Sequence, residues 1–166
     1  MLNTHFEGTR LRYRLLARDS FEKLLEFQET ISNSGLDEFL LELIKIRVSQ
    51  INGCAFCLDM HIKDSLALGE TQERINMLTV WRETNLYSEK EQAALSWSEA
   101  VTNIQTTHIS DELFTLMTKN FSEKEIAYID MAVVAINSWN RLAVPFKDEP
   151  GKYKSSLKPI SSKEQN

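Results

Sequence analysis

The amino-acid sequence predicts an all-α protein, and three observations support this prediction. Apolar residues recur three and four positions apart through most of the chain, which is the spacing of one helix face. Two identical capping boxes begin at Ser88 and Ser122, and each pairs the serine with a glutamate three residues later. No hairpin dipeptide stands between alternating apolar and polar runs. We therefore expect a bundle of about seven helices.

The predicted helices follow one another along the chain with short breaks. They are expected to begin after Asp19 or Ser20, after Asp37, at Ala55, near Ile75, after Ser88, after Ser110 and after Ser122. Asn52 and Gly53 are expected to break the chain before the third helix, and Gly69 to close that helix near Leu68. Trp81, Trp97 and Trp139 fall on apolar stripes and are expected to belong to the core.

The length and composition predict one domain. A chain of 166 residues with 42% hydrophobic and 26% charged residues is long enough for a single core. We assign residues 1–146 to a helical domain. Residues 147–166 are rich in lysine, serine and proline and lose the helical period, so we expect an extended or mobile C-terminal tail.

The charge distribution excludes several classes of partner. A formal net charge of −5 does not favour nucleic acid or an anionic membrane surface, and no apolar run approaches the length of a membrane span. Arginines interleave with apolar residues near the N-terminus, so we find no export signal there. We expect a cytoplasmic protein. In that reducing compartment a lone cysteine pair favours catalysis or metal binding over a structural disulfide.

The most informative stretch runs from Glu42 to His61 and holds both cysteines of the chain, Cys54 and Cys57. Cys57 follows Cys54 by three residues and precedes His61 by four, so a helix would place all three on one face. Cys54 would lie at the helix N-terminus, where free N–H groups and the macrodipole lower a thiol pKa. The spacing therefore provides two candidate nucleophiles, a base and a second thiol that can close a disulfide.

Glu42 lies on the preceding predicted helix, before the Asn52-Gly53 break. If the two helices pack as a hairpin, Glu42 comes close to the His61 end of the next helix. A carboxylate at that place can orient the imidazole and hold its proton.

The residues alone leave three interpretations of the cysteines open. A redox pair is favoured. Two zinc ligands with His61 as a third form the second reading, although a closed structural zinc site needs four ligands. Inert core thiols form the third, and His61 and Glu42 would then be free to act as an acid–base pair.

The pattern formed by Glu42, Ser49, Gly53, Cys54, Cys57 and His61, with Gly69 after it, closely resembles the core motif of the alkylhydroperoxidase D-like (AhpD-like) proteins. These proteins belong to the carboxymuconolactone decarboxylase superfamily. The resemblance covers residues of about 36 to 85, and Asn137-x-Trp139-Asn140-Arg141 is similar to the family's C-terminal segment. It implies an AhpD-like helical bundle, a homo-oligomer (dimer, trimer or hexamer) and thiol-dependent reduction of peroxides.

One residue departs from the better-studied peroxidases of that family, which carry a histidine immediately before the second cysteine. This chain has Phe56 there, which resembles the shorter, single-motif branch. A phenylalanine cannot stabilise a thiolate as an imidazolium can. The decarboxylase branch generally lacks the cysteine pair, so the two cysteines argue against lactone decarboxylation.

These observations predict a thiol peroxidase or disulfide oxidoreductase with Cys54, Cys57, His61 and Glu42 as its catalytic residues. Cys57 is expected to attack a small-molecule hydroperoxide after proton transfer through His61 to Glu42, although the helix N-terminus favours Cys54 for the same role. The other cysteine then closes a disulfide, which an external thiol or dithiol reduces. No cofactor is expected. The alternatives are a decarboxylase-like acid–base enzyme and a metal-binding or structural oligomer.

Overall fold

The structure is a computed structural model that describes residues 9–159, and it confirms the all-α prediction. These residues form eight α-helices and one 3-10 helix, with no strand element among them. The α-helices are α1 (Tyr13–Leu16), α2 (Arg18–Ser32), α3 (Glu38–Asn52), α4 (Ala55–Leu68), α5 (Gln72–Met77), α6 (Glu89–Thr102), α7 (Asp111–Asn120) and α8 (Glu123–Phe146); the 3-10 helix is Leu78–Glu83. The first eight residues of the predicted domain and the last seven of the predicted tail lie outside the described residues.

The helix ends agree with the capping signals of the sequence. The Asp37 side chain accepts a hydrogen bond from the amide of Phe39, and both serine–glutamate capping boxes form, at Ser88 and at Ser122. Gly69 closes α4 with a positive φ of 115°. Each of these signals is local, so it can be recognised without knowledge of the tertiary structure.

Three details differ from the expected helices. The four-residue α1 is too short to show a period in the sequence. The helix expected around Ile75 is split into α5 and the 3-10 helix, and Val80 has non-helical backbone angles inside the latter. Helix α8 continues to Phe146 and includes Pro145. Pro145 has no N–H group to donate to the carbonyl of Arg141, and the helix ends one residue later.

Helix α3 lies at the centre of the molecule, packed between α4, α6 and α8. Its residues Leu43, Ile44, Ile46 and Val48 are fully buried although they point in different directions around the helix. A helix that is apolar on every side needs neighbours on every side. The three polar residues Glu42, Lys45 and Ser49 are therefore buried along with the apolar ones.

Both ends of the described chain fold back onto the bundle. Tyr13 stacks on Phe146, and both Tyr13 and Arg14 reach the carboxylate of Asp148, at 2.7 and 2.8 Å. Residues 152–159 have no helix, and Tyr153 of this segment contacts Lys63 and Asp64 on α4. No α-helix in the described range 9–159 is long and apolar enough to span a membrane.

Candidate active site

The turn between α3 and α4 brings the predicted site residues together. Gly53 adopts a left-handed conformation with φ of 65°, which ends α3 and allows α4 to start at once with Cys54 as its N-cap. A residue with a Cβ is strained in this region, so glycine suits the turn. The hairpin that results places Glu42 on α3 beside His61 on α4. His61 Nδ1 lies 2.8 Å from Glu42 Oε2.

Contacts from α8 hold this turn in place. Asn52 donates hydrogen bonds from its side-chain nitrogen to the side-chain oxygens of Asn137 (2.9 Å) and Asn140 (2.8 Å). Asn140 in turn donates to the hydroxyl of Ser49 at 3.2 Å. The Asn-rich segment of α8 therefore supports the backbone immediately before the cysteine pair.

Cys54 and Cys57 are joined by a disulfide at the start of α4, with their Cα atoms 5.4 Å apart. Both residues are 1% exposed. The backbone amide of Cys57 donates to Cys54 Sγ at 3.3 Å, so the first sulfur also caps the helix. A sulfur at this position receives a helix N–H group and the positive end of the helix dipole, which both favour a thiolate in the reduced protein.

Glu42 is held ionised by two nitrogen donors. Lys45 Nζ lies 2.7 Å from Oε1, and His61 Nδ1 contacts Oε2. Burial by itself raises the pKa of this carboxyl, but the charge of His61 and hydrogen bonds from His61 and Lys45 outweigh burial and lower the pKa to about 2. With Nδ1 donating to Glu42, the other ring nitrogen of His61 is available to take up a proton.

A cavity of about 360 Å³ opens in front of Glu42 and His61. One part of its lining is apolar and consists of Phe21, Leu25, Phe56, Met60, Trp139 and Leu157. The polar lining consists of Arg14, Gln28, Ser32, Glu42, Lys45, His61, Asp64 and Tyr153. Trp139 thus lines the cavity, whereas Trp81 and Trp97 are buried as expected. Among the described residues that border this cavity there is no cysteine.

A second cavity, of about 370 Å³, is also lined by Phe56. Cys54 and Gly53 border it together with the end of α8 and the segment that follows. Phe56 lines both cavities, whereas Cys54 borders only the second of the two and His61 only the first.

The structure adds Lys45, Asp64 and Tyr153 to the site. Lys45 lies three residues after Glu42, and Asp64 lies three residues after His61, so helical spacing alone gives a signal for both. Tyr153 comes from the C-terminal segment, and its hydroxyl donates to Asp64 at 2.8 and 3.0 Å. Burial and then the hydrogen bond and charge of Asp64 raise the pKa of Tyr153 to about 12. No sequence signal marks Tyr153.

Glu42, His61 and Asp64 also meet a geometric condition for metal binding, because one potential ligand atom of each lies within 4.8 Å of the others. The carboxylate oxygens are already engaged, however, by Lys45 and His61 on Glu42 and by Tyr153 on Asp64. A lysine ammonium next to the set also repels a cation. The arrangement therefore favours proton transfer. The predicted zinc set of Cys54, Cys57 and His61 would need thiolates, and the two sulfurs form a disulfide here.

Comparison with known proteins identifies relatives of this chain. The uncharacterized protein YdfG of Bacillus subtilis (strain 168) is 39% identical over 137 residues, which cover 81% of this chain and 92% of YdfG. The crystal structure of a protein of unknown function from Agrobacterium tumefaciens, described as a candidate antioxidant defence protein AhpD, has 41% identity and a TM-score of 0.84. The match covers 87% of this chain and 99% of that one.

More distant structures share the fold. One of them is an uncharacterized peroxidase-related protein from Ralstonia eutropha JMP134, described as an alkylhydroperoxidase AhpD core. It has a TM-score of 0.73 at 16% identity, and the match covers 81% of this chain and 72% of that chain. The model of the carboxymuconolactone decarboxylase family matches residues 18–100, which include α3, α4 and every predicted site residue. The chain therefore belongs to the carboxymuconolactone decarboxylase family, as an AhpD-like member.

Proposed function

We propose that this protein is a thiol-dependent peroxidase, or more broadly a disulfide oxidoreductase, that reduces hydroperoxides. One observation carries the proposal. A closed disulfide lies at the start of α4, and one turn after it His61 is held by the ionised carboxylate of Glu42. This arrangement combines an oxidisable pair with a base that is itself oriented by a third group.

The reaction begins from the reduced pair. His61 takes the proton of the Cys57 thiol, and Glu42 stabilises the imidazolium that forms. The thiolate attacks the terminal oxygen of the hydroperoxide, so the O–O bond breaks and Cys57 becomes a sulfenic acid. The departing alkoxide takes the proton from His61 and leaves as an alcohol. The Cys54 thiol then displaces the sulfenic hydroxyl as water, and the disulfide forms.

An external thiol or dithiol restores the reduced pair by thiol–disulfide exchange. Its thiolate attacks one sulfur, which forms a mixed disulfide, and the other sulfur leaves as a thiolate. A second external thiolate then attacks the external sulfur of the mixed disulfide, so the first cysteine is also released and the oxidised reductant leaves as its own disulfide. Cys54 borders the second cavity, which supports Cys54 as the sulfur that is attacked. Cys57 is then the leaving thiolate, and His61 lies four residues from it on the same helix face. A reducing cytoplasm would provide such a thiol.

Assembly into a homo-oligomer belongs to the same proposal. Leu15, Leu16 and Leu25 are 64%, 67% and 48% exposed on α1 and α2, which form one rim of the cavity. Covering these side chains with a second subunit would remove apolar area from water. We expect light scattering at micromolar concentration to give a multiple of the 19.2 kDa chain mass. A mass near 19.2 kDa throughout that range would contradict assembly.

The direct test of the proposed chemistry is a thiol count before and after mild peroxide, followed by mass spectrometry of the Cys54–Cys57 peptide. We expect two thiols to be lost together in the wild-type protein. Cys54→Ser should stop at a sulfenic acid on Cys57. A stable sulfenic acid found only in Cys57→Ser would reverse the two cysteine roles, and unchanged thiols at millimolar peroxide would refute the proposal.

The coupling of His61 and Glu42 is tested by their single and double variants. Loss of either residue should slow peroxide turnover by about 10²-fold or more, as expected for loss of a general base. If they act as one unit, Glu42→Gln combined with His61→Gln should be little slower than either single variant. Additive losses would show that the residues act separately.

A second function, acid–base catalysis on an unsaturated lactone acid, is favoured by one observation. The cavity reaches His61, Glu42 and Asp64, whereas no cysteine is among the described residues that line it. If this function holds, the protein in which both cysteines are serine should still catalyse deuterium exchange from D₂O into such lactones. Loss of exchange on removal of the cysteines, or none in the wild type, would contradict it.

A further inference from the structure

Asp64 is a buried charged residue that the proposed mechanism does not use. It is 8% exposed, lies on α4 three residues after His61 and borders the same cavity. One of its carboxylate oxygens belongs to the group of atoms, with Glu42 and His61, that lie within 4.8 Å of one another. A carboxylate at that distance from an imidazole interacts with it strongly when the imidazole is protonated.

The charged side chains around His61 come from α1, α3 and α4. Helix α3 contributes Glu42 and Lys45, and the C-terminal segment contributes the neutral hydroxyl of Tyr153. Helix α1 contributes Arg14 at the cavity wall, where it is paired with Asp148 at 2.8 Å. The described lining residues of α2 and α8 carry no charge.

These charges leave Asp64 with a specific role. The ammonium of Lys45 lies 2.7 Å from Glu42 and offsets its negative charge. Arg14 and Asp148 offset each other in the same way. Among the described residues that line the cavity, Asp64 is then the carboxylate without an ion pair, and it accepts hydrogen bonds from the hydroxyl of Tyr153. A protonated His61 would supply the missing positive charge.

We propose that Asp64, held in place by Tyr153, is a positioning residue of the redox site that stabilises the protonated form of His61 and thereby the thiolate of Cys57. The inference rests on the proposed function, because it requires the cysteine pair in its reduced state. It extends the Glu42–His61 relay to a second carboxylate close to the ring. Asp64 acts through His61 and does not touch the reacting atoms.

The direction of the effect separates this role from simple electrostatic repulsion. A carboxylate that acted directly on the thiolate would repel it, so removing the carboxylate would lower the pH at which the thiol ionises. A carboxylate that acts through His61 stabilises the imidazolium–thiolate pair, so removing it raises that pH. The two roles therefore predict shifts of opposite sign.

The experiment measures the rate of alkylation by iodoacetamide as a function of pH in the fully reduced protein, without peroxide. Asp64→Asn keeps the shape and the hydrogen bond from Tyr153 but removes the charge. We expect the midpoint of the alkylation profile to rise by about one pH unit. Asp64→Ser removes the same charge with a smaller group and should shift the midpoint in the same direction, if Asp64→Asn does not fold.

The matched control is Asp59→Asn, which makes the same chemical change on the same helix. Asp59 accepts from the backbone amide of Gly151 at 2.9 Å and so also holds the C-terminal segment, but it is not among the residues that line the cavity. The midpoint of its alkylation profile should move by less than about 0.3 pH units, because Asp59 is paired with Lys63 at 2.8 Å and does not border the cavity. An equal shift in this control would assign the effect to loosening of the segment and overturn the proposal.

A second control removes His61. In the His61→Gln protein the further change Asp64→Asn should no longer raise the midpoint. A midpoint that falls or stays constant for Asp64→Asn in the wild-type background would also overturn the inference. Because alkylation needs no peroxide, a protein that shows the expected shift but does not reduce peroxides would contradict the proposed function and leave the role of Asp64 intact.

Discussion

Two carboxylates of the protein differ in their surroundings. One is Glu42, which belongs to α3, and the other is Glu99, which contacts α3 through Arg47. Glu42 contacts Lys45 and His61 and faces the cavity. Glu99, on α6, contacts Arg47 at 2.6 Å, Arg82 at 2.5 Å and the indole N–H of Trp81 at 2.9 Å. Both have a lowered pKa, because burial raises it less than the charges of their partners and the hydrogen bonds from them lower it. Burial and a lowered pKa are thus common to both sites.

The partners decide what each carboxylate can do. The arginines and the indole around Glu99 keep their protons throughout the physiological pH range, so this network can only hold α3, α6 and the 3-10 helix together. His61 beside Glu42 is an imidazole, a group that can act as a general base, and it lies one turn from the disulfide. A buried carboxylate therefore indicates a candidate active site when a titratable partner and a reactive group lie next to it.

The largest expected difference between the two carboxylates is in turnover. Glu42→Gln should slow peroxide reduction by at least about 10²-fold, because His61 loses the charge that stabilises its protonated form. The turnover of Glu99→Gln should stay within about threefold of the wild-type value, because Glu99 supports the fold and takes no part in the proposed chemistry. Steady-state peroxide consumption with a dithiol reductant measures both. Equal losses would remove the distinction.

Acid should reveal the next largest effect, at Glu42. Its pKa is lowered from 4.5 to about 2 in the folded protein, so its contribution to stability is present above pH 4.5 and is lost as the pH falls toward 2. A shift of that size corresponds to roughly 3 kcal/mol. Urea unfolding between pH 7 and pH 3 measures it. Glu42→Gln should flatten the dependence on pH in this window, and an unchanged slope would contradict the assignment.

Glu99→Gln should lower the stability of the protein at neutral pH, although it should change turnover little. Glu99→Gln leaves Arg47 and Arg82 without their counter-charge in a site where the Glu99 side chain is 14% exposed. We expect the free energy of unfolding to fall by about 2 kcal/mol, measured by urea unfolding at pH 7. Asp130→Asn, which alters the single acceptor of the Trp97 indole, should cost less. The opposite order would show that the Glu99 network is not a structural centre.

The smallest expected effect concerns the C-terminal segment. Tyr153→Phe removes the hydrogen bonds to Asp64, which should favour opening of the segment by about 1 kcal/mol. Trypsin should then cleave after Lys152 and Lys154 about fivefold faster than in the wild type. Tyr128→Phe, the same change beside Lys124 on α8, is the matched control. Equal cleavage in all three proteins would show that Lys63 and Asp59 hold the segment without Tyr153.

The sequence by itself determined the helical class, most helix starts and the four residues of the motif. Helix caps and the spacing of Cys54, Cys57 and His61 depend on neighbours within four residues, so the printed order of residues reveals them. The position of Glu42 was predicted from a hairpin at Gly53, and the 2.8 Å contact with His61 agrees with that expectation. These features are local or are linked by one tight turn.

The tertiary structure alone decided which distant groups complete the site. Tyr153 reaches Asp64 across 89 residues of sequence, and Arg14 reaches Asp148 across 134. No periodicity or capping signal encodes such a contact, because it depends on how α1, α4 and the C-terminal segment pack around one cavity. The burial of Lys45 could not be predicted from the sequence for the same reason. A lysine on the polar face of a helix is ordinarily solvated, and here the surrounding helices bury it against Glu42.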